Sequence, residues 1–129
     1  MDKDAIEQGN DIRRRMLGGP NTDAEVINPN AFNKPIQEIV SQGFGQIWTR
    51  PDMSMRDRSL VTLSMIIALN RPEQIQAHTK GALANGVTPI ELREVILQAQ
   101  LYCGLPVAAS AGRAIAEVLK AAGVDFNNP

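Results

Sequence analysis

A single cysteine, Cys103, and a single histidine, His78, occur in the 129 residues. One cysteine closes no internal disulfide, and one thiol with one imidazole falls short of the three or four soft ligands of a zinc site. Disulfide scaffolds and the usual zinc enzymes are therefore excluded. Neither sign of charge dominates: thirteen Lys and Arg face fourteen Asp and Glu, for a formal net charge of −1. With no basic field to hold a polyanion, nucleic acid is not an expected partner. Long apolar runs are also missing. Leu60 to Leu69 is far short of the roughly 20 residues that span a bilayer, and Val95 to Gly112 is interrupted by Gln98, Gln100, Gly104 and Pro106, so no membrane association is expected. The start, Met1-Asp2-Lys3-Asp4, lacks the basic and apolar regions of a signal peptide, and a cytoplasmic protein is the expectation. With only three Phe, one Trp and one Tyr, the core must be filled by Leu, Ile, Val, Met and Ala.

What is present reads as helix throughout one domain spanning residues 1–129. Residues 4 to 17 form a peripheral helix with Ile6, Ile12, Met16 and Leu17, ending at Gly18-Gly19-Pro20. Asn21 to Asn33 has the Asp, Asn and Pro content of a long loop. From Ala31 to Gln46, Phe32, Ile36, Ile39, Val40 and Phe44 recur at spacings of mostly three and four, the repeat of an amphipathic helix, with Pro35 in its first turn. Ser54, followed three residues on by Asp57, predicts the start of a helix through Leu69. Its Leu60, Val61, Leu63, Met65, Ile66, Ile67 and Leu69 leave almost no polar face, as in a central helix or one shared between subunits, and it is read as the core helix. The next helix begins near Asn70 and stops at Asn85-Gly86. Thr88-Pro89-Ile90-Glu91 is a capping box that opens a helix through Tyr102, closed by Gly104. Pro106 opens the last helix, whose Ala108, Ala109, Ala111, Gly112, Ala114 and Ala116 permit close backbone approach, and Gly123 ends it. The class is all-α, a bundle of about six helices. Two helices with more than one apolar face in so short a chain imply a homo-oligomer.

Several side chains have the chemistry for a site. His78 titrates near neutral pH and lies on a helix with Gln74 and Arg71 one and two turns before it; a general acid, or a neutral hydrogen-bond donor at a polar cavity, is one reading, and a partly exposed helix histidine is the other. Arg50, Arg56 and Arg58, beside the apolar shoulder of Trp48 and Pro51, form a cluster able to clamp carboxylates, or else a solvated helix start with an intersubunit ion pair. Arg58 stands closest to the apolar run that follows. Glu94, Gln98 and Tyr102 recur every four residues. Because Gln98 interrupts an apolar segment, this stripe is expected to face a polar pocket or to make interhelical hydrogen bonds. Glu38 is a further carboxylate on the second helix, a surface residue by composition. Cys103, at a helix C-terminus where the dipole disfavours a thiolate, is expected to be an inert buried thiol. Arg113 stands among small residues of the last helix, either lining a cavity or facing water.

The order of motifs resembles a known family. Ile47-Trp48-Thr49-Arg50-Pro51, Arg56-Asp57-Arg58-Ser59-Leu60-Val61-Thr62-Leu63, Asn70-Arg71-Pro72-Glu73, His78 and Ala84-Asn85-Gly86-Val87-Thr88 are followed by Ile90-Glu91-Leu92-Arg93-Glu94-Val95-Ile96-Leu97-Gln98 and Tyr102-Cys103-Gly104-Leu105-Pro106. This succession is similar to the carboxymuconolactone decarboxylase family, especially its members from the protocatechuate branch of aromatic catabolism, over Ile12 to Leu119. The resemblance implies an alkylhydroperoxidase-like helical fold, a homohexamer, and decarboxylation of a carboxylated lactone without metal or cofactor. The alkylhydroperoxidase branch uses a Glu, a Cys-x-x-Cys pair and a His. With His78 on that histidine, Arg71 and Gln74 stand where the cysteines would be and Ser59 where the glutamate would be, so thiol redox chemistry has nothing to run on.

Within the decarboxylase reading, His78 is the proton donor or oxyanion partner, and Glu94 or Glu38 orients it. Arg58, then Arg50 and Arg56, hold the substrate's acetate arm, with Gln98, Tyr102 and Trp48 completing the pocket. Decarboxylases that this chain resembles often carry histidine where Arg113 stands, which leaves room for a different carboxylated lactone or reaction. Two other readings stand beside it: a thiol-independent alkylhydroperoxidase-like protein with another small-molecule reaction, and a noncatalytic oligomeric binding protein.

Overall fold

The computed structural model describes residues 1–129. Seven α-helices follow one another with no strand: α1 (Lys3–Leu17), α2 (Pro20–Val26), α3 (Lys34–Ile47), α4 (Met55–Ala68), α5 (Pro72–Ala84), α6 (Pro89–Cys103) and α7 (Leu105–Ala121). The all-helical class holds, with one helix more than expected. The additional one, α2, lies in the stretch read as a loop. Gly18-Gly19-Pro20 does end α1, but Pro20 also occupies the first turn of α2, where its fixed φ and missing N–H suit a helix start, and Gly19 at φ +152° supplies the bend. Thr22 Oγ1 donates to Leu17 O at 2.7 Å and ties the new helix to the old one. The loop is thereby shortened, and α3 starts at Lys34, where Asn30 Oδ1 accepts from Asn33 N.

The chain divides into two compact units, Met1–Met55 and Arg56–Pro129. The first is built on the crossing of α1 and α3, and glycine decides how close that crossing is. A Cβ on Gly9 would lie 1.7 Å from Ser41 O, and one on Gly45 1.8 Å from Ala5 O, so no other residue fits either position without moving backbone. Beside this contact the buried Arg13 donates to Ser41 Oγ at 2.9 Å, Gln37 Oε1 at 2.6 Å and Glu25 Oε2 at 2.9 Å, linking α1, α2 and α3. Desolvation lowers the Arg13 pKa from its ordinary value, and Glu25 works against that shift. A small apolar cluster of Ile12, Met16 and Trp48 completes the unit.

In the second unit Leu63 and Ile67 of α4, Ile75 and Ala82 of α5, Leu92 of α6 and Ala111 and Ile115 of α7 form one fully or nearly fully buried core. Each large member contributes about 1.5–3 kcal/mol by leaving water. The α4 helix is not buried all round, as its sequence suggested. Ser59, Leu63 and Ile67 make its inner stripe, while Val61 and Met65, and Leu69 just past its end, are exposed, Met65 to 62%. The boundaries of the last three helices follow their sequence signals. Thr88 Oγ1 accepts from Glu91 N and Glu91 Oε1 accepts from Thr88 N, the full capping box, and Gly86, Gly104 and Gly123 all have positive φ at helix ends.

Candidate functional site

His78, the chain's one histidine, lies on α5. The start of that helix at Pro72 and its end at Asn85 set the register so that Ile75, His78, Thr79 and Ala82 are buried. His78 is only 8% exposed, and its Nδ1 is buried without a hydrogen-bond partner. Desolvation pushes the imidazole below its ordinary pKa, so near neutral pH it is the uncharged form, one nitrogen donating and the other accepting. Thr79 beside it is satisfied within the helix, Oγ1 donating to Ile75 O at 2.6 Å. Arg71, the residue before α5, and Gln74 are exposed and do not join His78 in a buried cluster.

At the far end of α5 Asn85 Nδ2 donates to Ser59 Oγ at 2.9 Å, and Ser59 is almost completely buried on α4. Asn85 Oδ1 is also buried and unpartnered. Sequence reasoning misses this pair, because Asn85 reads there as a helix stop. The available signal is spacing: Asn85 follows His78 by seven residues, two helical turns, and therefore shares its face.

The three arginines have different surroundings. Arg58 is half-buried on the turn that carries Ser59. Arg56 pairs with Glu91 and donates to Asp57 Oδ1 at 3.4 Å, tying α4 to the capping box of α6. Arg50, in the first unit, is exposed and pairs with Asp52 at 3.4 Å. The other residues of the first unit are Trp48, buried and stacked on Phe44 with ring centroids 5.9 Å apart, and Glu38, half-buried beside Lys34 at 4.0 Å. Trp48 is thus part of that unit's core. Glu38 lines a cavity of about 400 Å³ with Glu25, Asn10 and Gln37.

On α6 Glu94, Gln98 and Tyr102 are all exposed, Tyr102 to 76%. The expected burial of the Gln98 amide does not hold: Leu92 and Ala99 are the buried residues of α6, and Gln98 falls on the outer face with Leu97 and Leu101. Cys103 is likewise exposed rather than buried, because it closes that same outer face at the helix end. Arg113 faces outward on α7.

A neutral, buried histidine with an unspent nitrogen can donate a hydrogen bond to an oxygen that gains charge. The carboxymuconolactone decarboxylase family's sequence profile matches residues 37–117, more than half of the chain. The chain belongs to the carboxymuconolactone decarboxylase family. It is 36% identical over 124 residues to a 4-carboxymuconolactone decarboxylase of Acinetobacter baylyi, covering 95% of this chain and 92% of that protein. It is also 36% identical over 102 residues to a nitrosuccinic acid decarboxylase of Metarhizium robertsii, covering 78% of this chain and 71% of the relative. Both relatives are decarboxylases by name, and together with the family they support a carboxy-lyase activity for this chain. Within the family match lie His78, Ser59, Asn85 and all three arginines.

Proposed function

We propose that this member of the carboxymuconolactone decarboxylase family removes carbon dioxide from 4-carboxymuconolactone or a closely related carboxylated lactone, yielding an enol-lactone in the catabolism of aromatic compounds. The observation that carries the reading is His78: a buried imidazole kept neutral, with Nδ1 unpartnered, in a chain that matches a 4-carboxymuconolactone decarboxylase over nearly all its length.

The substrate holds its own electron sink. As the bond to the carboxylate breaks, the electron pair moves through the ring alkene onto the lactone carbonyl oxygen, and a proton then adds to carbon. No cofactor is needed for that delocalisation. What the protein supplies is stabilisation of the oxygen that gains charge, and a proton. Of the two roles, proton donor or oxyanion partner, the uncharged His78 suits the second, since a neutral N–H meets an oxyanion without trapping the starting carboxylate, whereas to act as proton donor it must first take up a proton. Arg58, half-buried near Ser59, holds the acetate arm; a cation on the departing carboxylate would instead stabilise the ground state. In the same unit as His78, Arg56, Gln98, Tyr102 and Glu94 remain further binding or orienting groups in this reading, with Arg56 committed to Glu91.

The chain acts as a homo-oligomer, a hexamer in this proposal. Support comes from apolar side chains left on its surface: Val61 and Met65 on α4 with Leu69 just past its end, and Leu97, Leu101 and Leu105 from α6 into α7, with Leu101 75% exposed.

A second substrate is favoured by the nitrosuccinic acid decarboxylase relative. A nitro group beside the departing carboxylate accepts the electron pair on oxygen as a conjugated lactone does, so the same His78 contact serves both. Assaying carbon dioxide release from 4-carboxymuconolactone and from nitrosuccinate tests the proposal. Release from the lactone supports the first reading, release from nitrosuccinate alone supports the second, and release from neither by a folded protein refutes both.

A further inference from the structure

Between α6 and α7 lies a cavity of about 220 Å³. One wall is Arg93 and Ile96 of α6, and the other is Gly112 and Ala116 of α7; residues three or four apart share a helix face, so each pair looks the same way. Gly112 leaves room: it has no side chain, and a Cβ there would stand 3.8 Å from Ile96 Cγ2. The chain after α7 covers one side. Gly123, at φ +80°, turns it back, with Gly123 N donating to Lys120 O and Val124 N to Leu119 O, both at 3.1 Å, and this return brings Val124 and Phe126 into the lining. All of these residues belong to the second unit. Arg93 is the one charged side chain of the lining. It is exposed and makes no hydrogen bond or ion pair within the chain, whereas Arg13 and Arg56 are each paired with a glutamate.

We propose that this cavity is a binding site for a small ring monocarboxylate, with the ring between Ile96, Ala116 and Phe126 and the carboxylate on Arg93. An apolar cavity of about 150 Å³ takes benzene, so 220 Å³ leaves room for one ring and its carboxyl and none for a peptide. The apolar walls favour the ring by burial, and Phe126 adds an aromatic edge or face to pack against it. The guanidinium offers a fork of N–H donors that fits a carboxylate, and it has no competing partner to give up. A second carboxylate on the ligand would meet only apolar wall and lose its hydration. The carboxylated lactone of the proposed function carries two carboxylates, and His78 is not in this lining, so the cavity is a site beyond that reaction's own. The inference does not rest on the decarboxylase reading.

Benzoate and benzamide, alike in shape and different in charge, are the test pair, titrated into the isotope-labelled full chain and followed by NMR. Benzoate is expected to bind with a Kd below about 1 mM, shifting the Gly112 amide and the Phe126 ring and leaving the His78 ring unmoved. Benzamide is expected to bind at least about fivefold more weakly. Arg93→Gln should weaken benzoate about fivefold or more and leave benzamide within about twofold, and Ala116→Leu, which fills the cavity without touching charge, should weaken both about tenfold or more. If Ala116→Leu does not fold, Gly112→Ala replaces it, because its Cβ meets Ile96 at an ordinary contact distance, and about threefold weakening is expected. No saturable binding of benzoate, equal affinity for the two probes, unchanged affinity in the cavity-filling variant, or shifts at His78 in place of Gly112 and Phe126 would overturn the proposal. So would wild-type protein that ignores benzoate while Arg93→Gln alters its oligomeric state, since a second copy of the chain would then be the occupant.

Discussion

His78 and Thr79 are neighbours on α5 and both are buried, but only Thr79 spends its polar group inside the protein, donating to Ile75 O at 2.6 Å while His78 Nδ1 has no partner. The threonine is a helix residue with its hydroxyl satisfied. The histidine holds an unfilled hydrogen bond where burial has already weakened its charged form.

His78→Ala is expected to lower kcat at least about a hundredfold, the scale of a lost general acid or oxyanion contact. Steady-state kinetics, with circular dichroism to confirm unchanged helicity, measures this. Near-native turnover in the folded variant would remove His78 from the mechanism.

The depressed pKa of His78 also predicts a pH dependence of stability. The folded state binds the imidazole proton less readily than the unfolded chain, so the unfolded state holds more protons once pH falls through the ordinary histidine value near 6.5. The contribution is therefore complete above that value and is lost as pH falls from there toward the lowered folded pKa. Urea unfolding between pH 8 and 5 should show this decline, and the decline should be smaller in His78→Asn.

Much of the second unit is legible in the amino-acid sequence, because its signals are local. Thr88 with Glu91, Pro72 in a first turn, and Asn85-Gly86 and Gly104 at helix ends each act through neighbouring backbone, and each boundary falls where the residues place it. Three kinds of feature are not legible in that way. Pro20 is both a stop and a start, and local composition favours the stop, which hides α2. Gln98 and Cys103 sit in an apolar segment whose inner stripe is Leu92 and Ala99; periodicity does not say which of several apolar faces turns inward. The Ser59–Asn85 bond joins residues 26 apart, and no local pattern announces it.

Gly45→Ala should destabilise the protein by about 1–3 kcal/mol, the usual cost of overpacking, since the new methyl meets the carbonyl of Ala5 on the facing helix. Chemical denaturation reads it directly. Gly43→Ala is the control, because nothing lies within 4 Å of a Cβ there.

Glu91→Ala removes the capping-box carboxylate and the partner of Arg56 together. The pair is more than a third exposed on the Arg56 side, so solvent screening leaves it worth well under 1 kcal/mol, and the expected loss is about 1–1.5 kcal/mol, mostly from the cap. The activity of the folded variant should stay within about threefold, whereas Arg58→Ala should raise KM at least about tenfold by releasing the acetate arm.

Cys103→Ser should leave turnover within about twofold, because the proposed chemistry uses no thiol and the chain holds no second cysteine with which to exchange. Loss of activity with retained helicity and oligomeric state would restore a role for the sulfur.

The central claim is that this chain decarboxylates a carboxylated lactone at His78, and the most direct measurement is carbon dioxide release from freshly generated 4-carboxymuconolactone by wild type and His78→Ala side by side. The account predicts rapid release by the wild type and release at least about a hundredfold slower by the variant. No release by a folded wild-type oligomer, or equal release by both proteins, would contradict it.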